Sequence, residues 1–525
     1  MNRFSTASTE VRSPAGRTAT CATGPNYDVP MPPLRVAMIA AECEPWAKTG
    51  GLGDVVDALA RALGHVPAAI DGEVEVFLPR YRSVEVPAGA VTGSRTVRVP
   101  DPQAQDGVTA VTIVDVAANG YRLRLVDHPP AFDRDGMYGP PALGDFADNA
   151  WRYGLFCRAA LETLRTEPDR PIDILHLHDW HSGPAAIQRD AWLSEDPVLG
   201  RSAIVITLHN LAYHGWTDRK DLRQLGLVPG GGVLPIDADG VDLLREGIVR
   251  ADVANTVSPG FAREALTPDG SFGLADALAA KGDRFVGILN GLDTALWDPA
   301  TDADLGAPFS AADLTGKAAC RADLLERLGF DPSDHGAVLG MIGRLDPQKG
   351  FDLVHDAARR LVDDGARIVV QGSGDPVLAA GLRAMVADDP TRIAFIERFD
   401  RAMARRIYAG ADFFLMPSRF EPCGTGQMIS LRYGTPPIVR RTGGLADSVI
   451  DERTHPGEGT GFAFDEATPR ALAKACEVAM TMRVAGGQPW DELVARGMAV
   501  DFDWARGSAP RYAALYERAL SIRRG

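Results

Sequence analysis

The chain is poor in cysteine. Its six cysteines (Cys21, Cys43, Cys157, Cys320, Cys423 and Cys476) are scattered along 525 residues without a Cys-x-x-Cys pair. That spacing excludes a disulfide framework and a structural zinc site, and it suits a reducing compartment, so a cytoplasmic location is expected. No run approaches the ~18 to 20 apolar residues needed to span a bilayer, and no apolar core follows the initial Met as a secretory signal requires. A soluble protein with no membrane partner is the expectation. Positive charge is in deficit: 55 Lys+Arg stand against 70 Asp+Glu, a formal net charge of −15. General electrostatic binding to nucleic acid is thereby excluded, while a local basic site for an anionic small ligand is not. Internal repeats are missing as well.

What remains has ordinary globular composition, 45% hydrophobic and 24% charged, with 55 Gly and 37 Pro marking many loops. At roughly 100 to 200 residues per domain, the length implies two to four domains. Residues 1–33 are rich in Ser, Thr, Ala and Arg, with only Glu10 and Asp28 acidic. They are read as a disordered tail, with an organelle transit peptide as the alternative and Met31 as a possible translation start. From residue 34 a short apolar run, a glycine-rich loop (Lys48, Thr49, Gly50, Gly51, Leu52, Gly53, Asp54) and a helical pattern form the opening βα unit of a doubly wound sheet. Strand-like runs follow at 74–78, 111–114, 172–177, 203–208 and 252–256, with a helical stretch at 149–164. A second series lies at 337–342, 367–371, 393–396, 413–416 and 437–439, after an aperiodic region at 293–316. This alternation predicts an α/β protein with mostly parallel sheets. The expected division is a tail (1–33), a first doubly wound domain (34–300), a second (301–500) and a C-terminal helix (501–525), with a ligand cleft between the carboxyl ends of the two sets of strands.

Several segments carry polar groups to those ends. The 48–54 loop lets backbone amides and a helix start approach a phosphate while Lys48 adds charge, although it is neither a Walker loop nor Gly-x-Gly-x-x-Gly. Arg344 and Lys349 set two cations five residues apart directly after a strand. His209 and Asn210 end the strand at 203–208, where a functional group or a capping histidine are equally compatible with the pattern. His176, His178 and His181 invite a metal reading, but strand alternation and the lack of a completing carboxylate or thiolate argue against it. Four Asp-x-Asp triplets are what chance gives in an Asp-rich chain. The most specific stretch is 417–424 (PSRFEPCG) with Thr425 and Gly426. Here Glu421 precedes glycine amides at a helix start, an arrangement able to hold a sugar hydroxyl and a phosphate together.

Taken in order, the segments 42–54 (ECEPWAKTGGLGD), 178–183 (HDWHSG), 207–215 (TLHNLAYHG), 289–297 (LNGLDTALW), 343–350, 418–424, 441–447 and 501–504 (DFDW) resemble the bacterial glycogen synthase and plant starch synthase family of retaining glucosyltransferases. The likeness runs from residue 34 to about 516. It implies two Rossmann-like domains facing a deep cleft, the GT-B arrangement, with a C-terminal helix returning to the first domain. The implied reaction moves glucose from ADP-glucose to the nonreducing 4-hydroxyl of an α-1,4-glucan such as glycogen, without metal or cofactor. By position, Arg344 and Lys349 match the diphosphate-binding cations, and Glu421 the carboxylate at the donor glucose. His209 matches the catalytic histidine near the 6-hydroxyl. Lys48, Gly50, Gly51 and Asp54 match the loop at the phosphates and glucose; Asp179, Asn210 and Asn290 match sugar-pocket positions; Cys423, Gly424, Thr425 and Gly426 match the turn after Glu421. Phe399 stands where the family often has a tyrosine stacked on the base.

Two departures qualify the match. Related transferases carry a second glutamate where this chain has Ile429, a replacement usual in the synthase branch, so Glu421 acts without that partner. Thr425-Gly426 replaces the commoner Leu-Thr, which leaves the backbone amides but not a matched hydroxyl. Two rival readings stay open: a same-fold transferase using UDP-glucose or a small sugar acceptor, and a silent glucan-binding scaffold. The second is disfavoured because Lys48, His209, Arg344, Lys349 and Glu421 are all present. The sequence does not set the oligomeric state.

Overall fold

The computed structural model describes residues 34–64, 74–101, 104–140, 144–169, 171–218 and 240–525. The tail reading of residues 1–33, Cys21 and the Asp237/Asp239 triplet lie outside the described residues.

Two sheets organise the chain. The first contains β1 (Val36–Ile39), β2 (Val74–Pro79), β3 (Val91–Pro100), β4 (Val108–Ala117), β5 (Arg122–Asp127), β6 (Ile174–His178) and β7 (Ala203–Leu208). After a small ribbon of β8 (Trp216–Asp218) and β9 (Gly240–Asp242), it is completed by β10 (Val253–Thr256) and β11 (Phe285–Gly287). The strand order is β11-β10-β7-β6-β1-β2-β5-β4-β3. The second sheet, ordered β14-β13-β12-β15-β16-β17, is built from β12 (Val338–Ile342), β13 (Arg367–Gln371), β14 (Ile393–Ile396), β15 (Phe413–Met416), β16 (Pro437–Arg440) and β17 (Phe462–Phe464). All of its pairings are parallel. In β1, β6 and β7 every residue is buried, which is why they appear as continuous rather than alternating apolar runs.

The expected parallel sheet is modified at one edge, where β3 pairs antiparallel to β4 and β4 antiparallel to β5. β3 escapes the sequence pattern because it is an edge strand carrying Gly93, Ser94 and three exposed residues in its first half. β5 escapes it because the run RLRLVD is broken by Arg124, whose side chain is nonetheless fully buried. Its guanidinium meets Glu75 at 2.9 Å and Glu167 at 2.9 Å, so the charge enters the core already paired.

The helix Gly51–Leu63 buries Leu52, Val55, Val56, Leu59 and Leu63 against the first sheet. At about 1.5 to 3 kcal/mol for each large apolar side chain, this face is what anchors the glycine loop that precedes it. The final helix, Ala509–Arg524, lies back on the first sheet rather than the second, burying Tyr512, Leu515, Tyr516, Ala519 and Leu520 in the same core as β7 and β10.

Candidate active site

The polar residues singled out in the sequence sit at the carboxyl ends of parallel strands. β1 leads into the glycine loop, β6 ends at His178 and Asp179, and β7 ends at His209 and Asn210. In the other sheet β12 leads to Arg344 and Lys349, and β15 to Ser418 and Glu421.

The loop after β1 is shaped by Glu42. Its buried carboxylate accepts hydrogen bonds from the Thr49 amide (2.8 Å), the Thr49 hydroxyl (2.8 Å), the Gly50 amide (2.9 Å) and the Tyr138 hydroxyl (2.6 Å). An anion at the start of the helix Gly51–Leu63 also answers that helix's dipole. Lys48 is directed to its own loop, 2.5 Å from Asp54 and 3.9 Å from Glu44.

At the β6 end Asp179 adopts φ +54°, a left-handed conformation that costs a non-glycine residue of order 1 kcal/mol or more and is kept only where the surroundings enforce it. The enforcing contacts are visible: its Oδ1 accepts the His209 amide at 2.7 Å and the Asn210 amide at 3.5 Å. Burial raises the Asp179 carboxyl to about 7, against the pull of those two amides. His209 stacks on His178 with 5.3 Å between ring centroids, and its Nε2 lies 3.0 Å from His178 Nδ1. Packed surroundings hold the His209 imidazole down to about 3, so it is neutral at pH 7.

In the second sheet Lys349 and Glu421 are in direct contact, Nζ to Oε2 at 2.6 Å, and the Ser418 hydroxyl donates to the same oxygen at 3.0 Å. Glu421 is only 5% exposed, while the Lys349 side chain is 26% exposed. Gly350 makes this approach possible: it takes φ +74°, and a Cβ there would lie 2.4 Å from the Pro417 carbonyl oxygen. Gly426 has an equally local reason, since a Cβ would meet the Phe414 ring at 2.9 Å. The Thr425-Gly426 departure is therefore accommodated by core packing under the turn. Arg344 is half exposed, its guanidinium 3.6 Å from Asp346.

The two groups of residues meet through the loops around Glu421. The Ser258 hydroxyl donates to the Pro422 carbonyl at 2.6 Å, the Gly443 amide donates to Glu264 at 2.7 Å, and Asn290 hydrogen-bonds the Cys423 thiol. Burial pushes that thiol up to about 12, so it is not a nucleophile at neutral pH. Phe399, by contrast, stands 79% exposed, with no ring partner among the described residues. Glu42 is not singled out by the sequence, His178 is raised there only as a metal ligand and Ser418 only within the 417–424 stretch; the position of Glu42 at the end of β1 is the available clue.

The three histidines of the 176–181 segment do not share one point: His176 and His178 lie together, ring centroids 4.1 Å apart, and His181 lies elsewhere. His181 is stacked between Trp180 (4.0 Å) and Tyr138 (4.8 Å), and among the described residues no group of three or more His, Cys, Asp or Glu is arranged to hold a metal ion.

Comparison with known proteins places this geometry. Over 499 residues the chain is 38% identical to a glycogen synthase of Syntrophotalea carbinolica, covering 93% of this chain and 99% of that one. It belongs to the glycogen synthase family. A glycogen synthase of Anaeromyxobacter dehalogenans is 41% identical over 490 residues, covering 92% and 98% of the two chains. Residues 35–280 match the starch synthase catalytic domain, and residues 336–481 match the glycosyl transferases group 1 family. Among solved structures, the catalytic domain of starch synthase IV from Arabidopsis thaliana bound to ADP and acarbose superposes with TM-score 0.83 at 33% identity, covering 93% of this chain and all of that one. A sucrose-phosphate synthase from Thermosynechococcus elongatus (TM-score 0.58, 18% identity, 93% and 99% coverage) shares the fold. The chain is thus a glycosyltransferase of this family with the GT-B arrangement. No helix among the described residues is long and apolar enough to cross a membrane.

Proposed function

We propose that the protein extends an α-1,4-glucan by transferring glucose from ADP-glucose to a nonreducing 4-hydroxyl with retention at the anomeric carbon. The observation that carries this reading is the Lys349–Glu421 contact at 2.6 Å, formed where β12 and β15 both end. Breaking the bond between glucose and a nucleoside diphosphate builds negative charge on the phosphate and positive charge on the sugar. A fixed cation and a fixed anion side by side match that separation, and each gains most when the charge is fully developed. In this reading Arg344 and Lys349 face the diphosphate, and Glu421, held by Ser418, faces the sugar. His209 and Asn210, set by Asp179, line the glucose pocket with Asn290. Lys48, Gly50, Gly51 and Asp54 close over the phosphates, and Gly424, Thr425 and Gly426 offer amides behind Glu421. Phe399 supplies a stacking face for the base. The division at residues 34–300, 301–500 and 501–525 belongs to the same proposal, as do ADP-glucose and glycogen as donor and acceptor. Support for the adenine nucleotide comes from the ADP-bound relative, 33% identical over nearly the whole chain.

The test is ADP release from ADP-glucose with and without glycogen, followed by digestion of the product with an α-1,4-specific amylase. Glycogen-dependent release and a digestible product are expected. Equal release without glycogen, or transfer to a free sugar phosphate in its place, would overturn the assignment.

A further inference from the structure

Behind His209 lies a buried chain of polar groups that ends on the C-terminal helix. Asn255 fixes its direction. Its Nδ2 faces two oxygens, the Tyr512 hydroxyl at 3.1 Å and the Thr256 carbonyl at 3.5 Å, and a carbonyl can only accept. Asn255 Oδ1 must therefore accept from the Thr207 hydroxyl, 2.8 Å away. With its proton so committed, Thr207 Oγ1 accepts from His176 Nε2 at 2.7 Å, which leaves His176 Nδ1 to accept from the Tyr516 hydroxyl at 2.8 Å. His176 is thus pinned as the Nε2–H tautomer. Its ring lies against His178, tilted by 38° with centroids 4.1 Å apart, and His178 Nδ1 reaches His209 Nε2 at 3.0 Å.

The last link has two possible polarities. His178 Nε2 is buried with no hydrogen-bond partner among the described residues. If His178 accepted from His209, that buried nitrogen would have to carry an orphaned N–H, whereas a bare lone pair there is the smaller penalty. So His178 Nδ1–H donates, His209 accepts at Nε2, and the proton of His209 resides on Nδ1. Burial keeps His176 and His209 neutral, both at about 3, and lowers His178 well below the ordinary range, so a charged imidazole does not disturb the assignment at pH 7.

We propose that His178 is a positioning residue for His209: by donating from Nδ1 it holds His209 as the Nδ1–H tautomer, so that it meets the donor sugar as a hydrogen-bond donor. The final clause rests on the reading of His209 as a sugar-pocket residue; the tautomer does not. The C-terminal helix supplies the two tyrosine hydroxyls that end the chain behind β6 and β7, on Asn255 and His176.

The test begins with the intact protein free of substrate. Nitrogen NMR of isotope-labelled histidine, with His209→Gln used to assign the signal, is expected to show His209 protonated at Nδ1 and bare at Nε2. His178→Leu should lower kcat by roughly 10- to 100-fold, and His178→Asn, which places an amide N–H near the position of Nδ1–H, should recover most of that loss. His209 protonated at Nε2 in the wild type would overturn the proposal. So would Asn and Leu at position 178 giving the same kcat. Absence of turnover with ADP-glucose in the wild type would instead sink the functional reading, with the tautomer still decided by the spectrum.

Discussion

Replacing Lys349 and Glu421 one at a time separates their roles, because the structure joins them by one short contact, 2.6 Å long, in which Lys349 is a quarter exposed and Glu421 almost wholly buried. Lys349→Ala removes a cation that, in the proposed function, faces the diphosphate. A hydrogen bond to a charged group contributes about 1.5 to 3 kcal/mol, which at 1.4 kcal/mol per tenfold predicts ADP binding weakened roughly 10- to 100-fold. The same change strands the Glu421 carboxylate with only the Ser418 hydroxyl, so folding stability should also drop. Breaking a fully buried pair costs about 3 to 5 kcal/mol, and partial exposure of Lys349 reduces this to roughly 1 to 3. Glu421→Gln behaves differently. It keeps the shape, leaves an oxygen for both Ser418 and Lys349, and removes the anion that competes with phosphate for the ammonium group, so ADP binding should be unchanged or tighter. Both variants should lose kcat, since each deletes a charge that opposes one developing in the transition state. Titration calorimetry with ADP reads the difference. Equal loss of affinity in both variants, or wild-type affinity in Lys349→Ala, would refute the assignment of phosphate to Lys349 and sugar to Glu421.

Leu520→Ala tests the docking of the final helix: truncating a leucine 2% exposed should cost about 2 to 5 kcal/mol by urea unfolding, and a change under about 0.5 kcal/mol, the level of a surface site, would mean that the helix is not packed on the first sheet. Acid should destabilise the fold. His176, His181 and His209 are held at about 3 when folded and titrate near 6.5 when unfolded, so stability is complete above about pH 6.5 and falls as pH drops towards 3, by about 1.4 kcal/mol per unit for each imidazole. Asp179, raised to about 7, works in the opposite sense between about pH 4 and 7 but is one group against three, so a urea midpoint unchanged from pH 7 to pH 5 would contradict this account. Activity should persist in excess EDTA, because in the proposed function the counter-charge comes from Arg344, Lys349 and backbone amides; loss restored only by a divalent ion would contradict it.

Most parallel strands were legible because their apolar runs are unbroken; the runs at 203–208, 367–371, 393–396 and 413–416 coincide with β7, β13, β14 and β15 to the residue, while β11 and β17, three residues each, are too short to show a pattern. Edge strand β3 and charged β5 were not, since one exposes a face and the other hides Arg124 behind Glu75 and Glu167, 49 and 43 residues away along the chain, which no local pattern displays. In the site, the sequence located the strand ends and their polar residues. It did not disclose that Glu42 shapes the 48–54 loop, or that Lys48 pairs with Asp54 and Lys349 with Glu421, because these are side-chain choices made in three dimensions. The histidines of the 176–181 segment illustrate the point best. The connection from His176 to Tyr516 spans the chain and appears only when the final helix is in place.

The most direct measurement is the initial rate of glucosyl transfer to glycogen from ADP-glucose and from UDP-glucose at equal concentration. The account predicts rapid transfer from ADP-glucose, an α-configured product, and a markedly slower rate from UDP-glucose. Transfer from UDP-glucose alone, or none from ADP-glucose under conditions where the protein binds ADP, would contradict it.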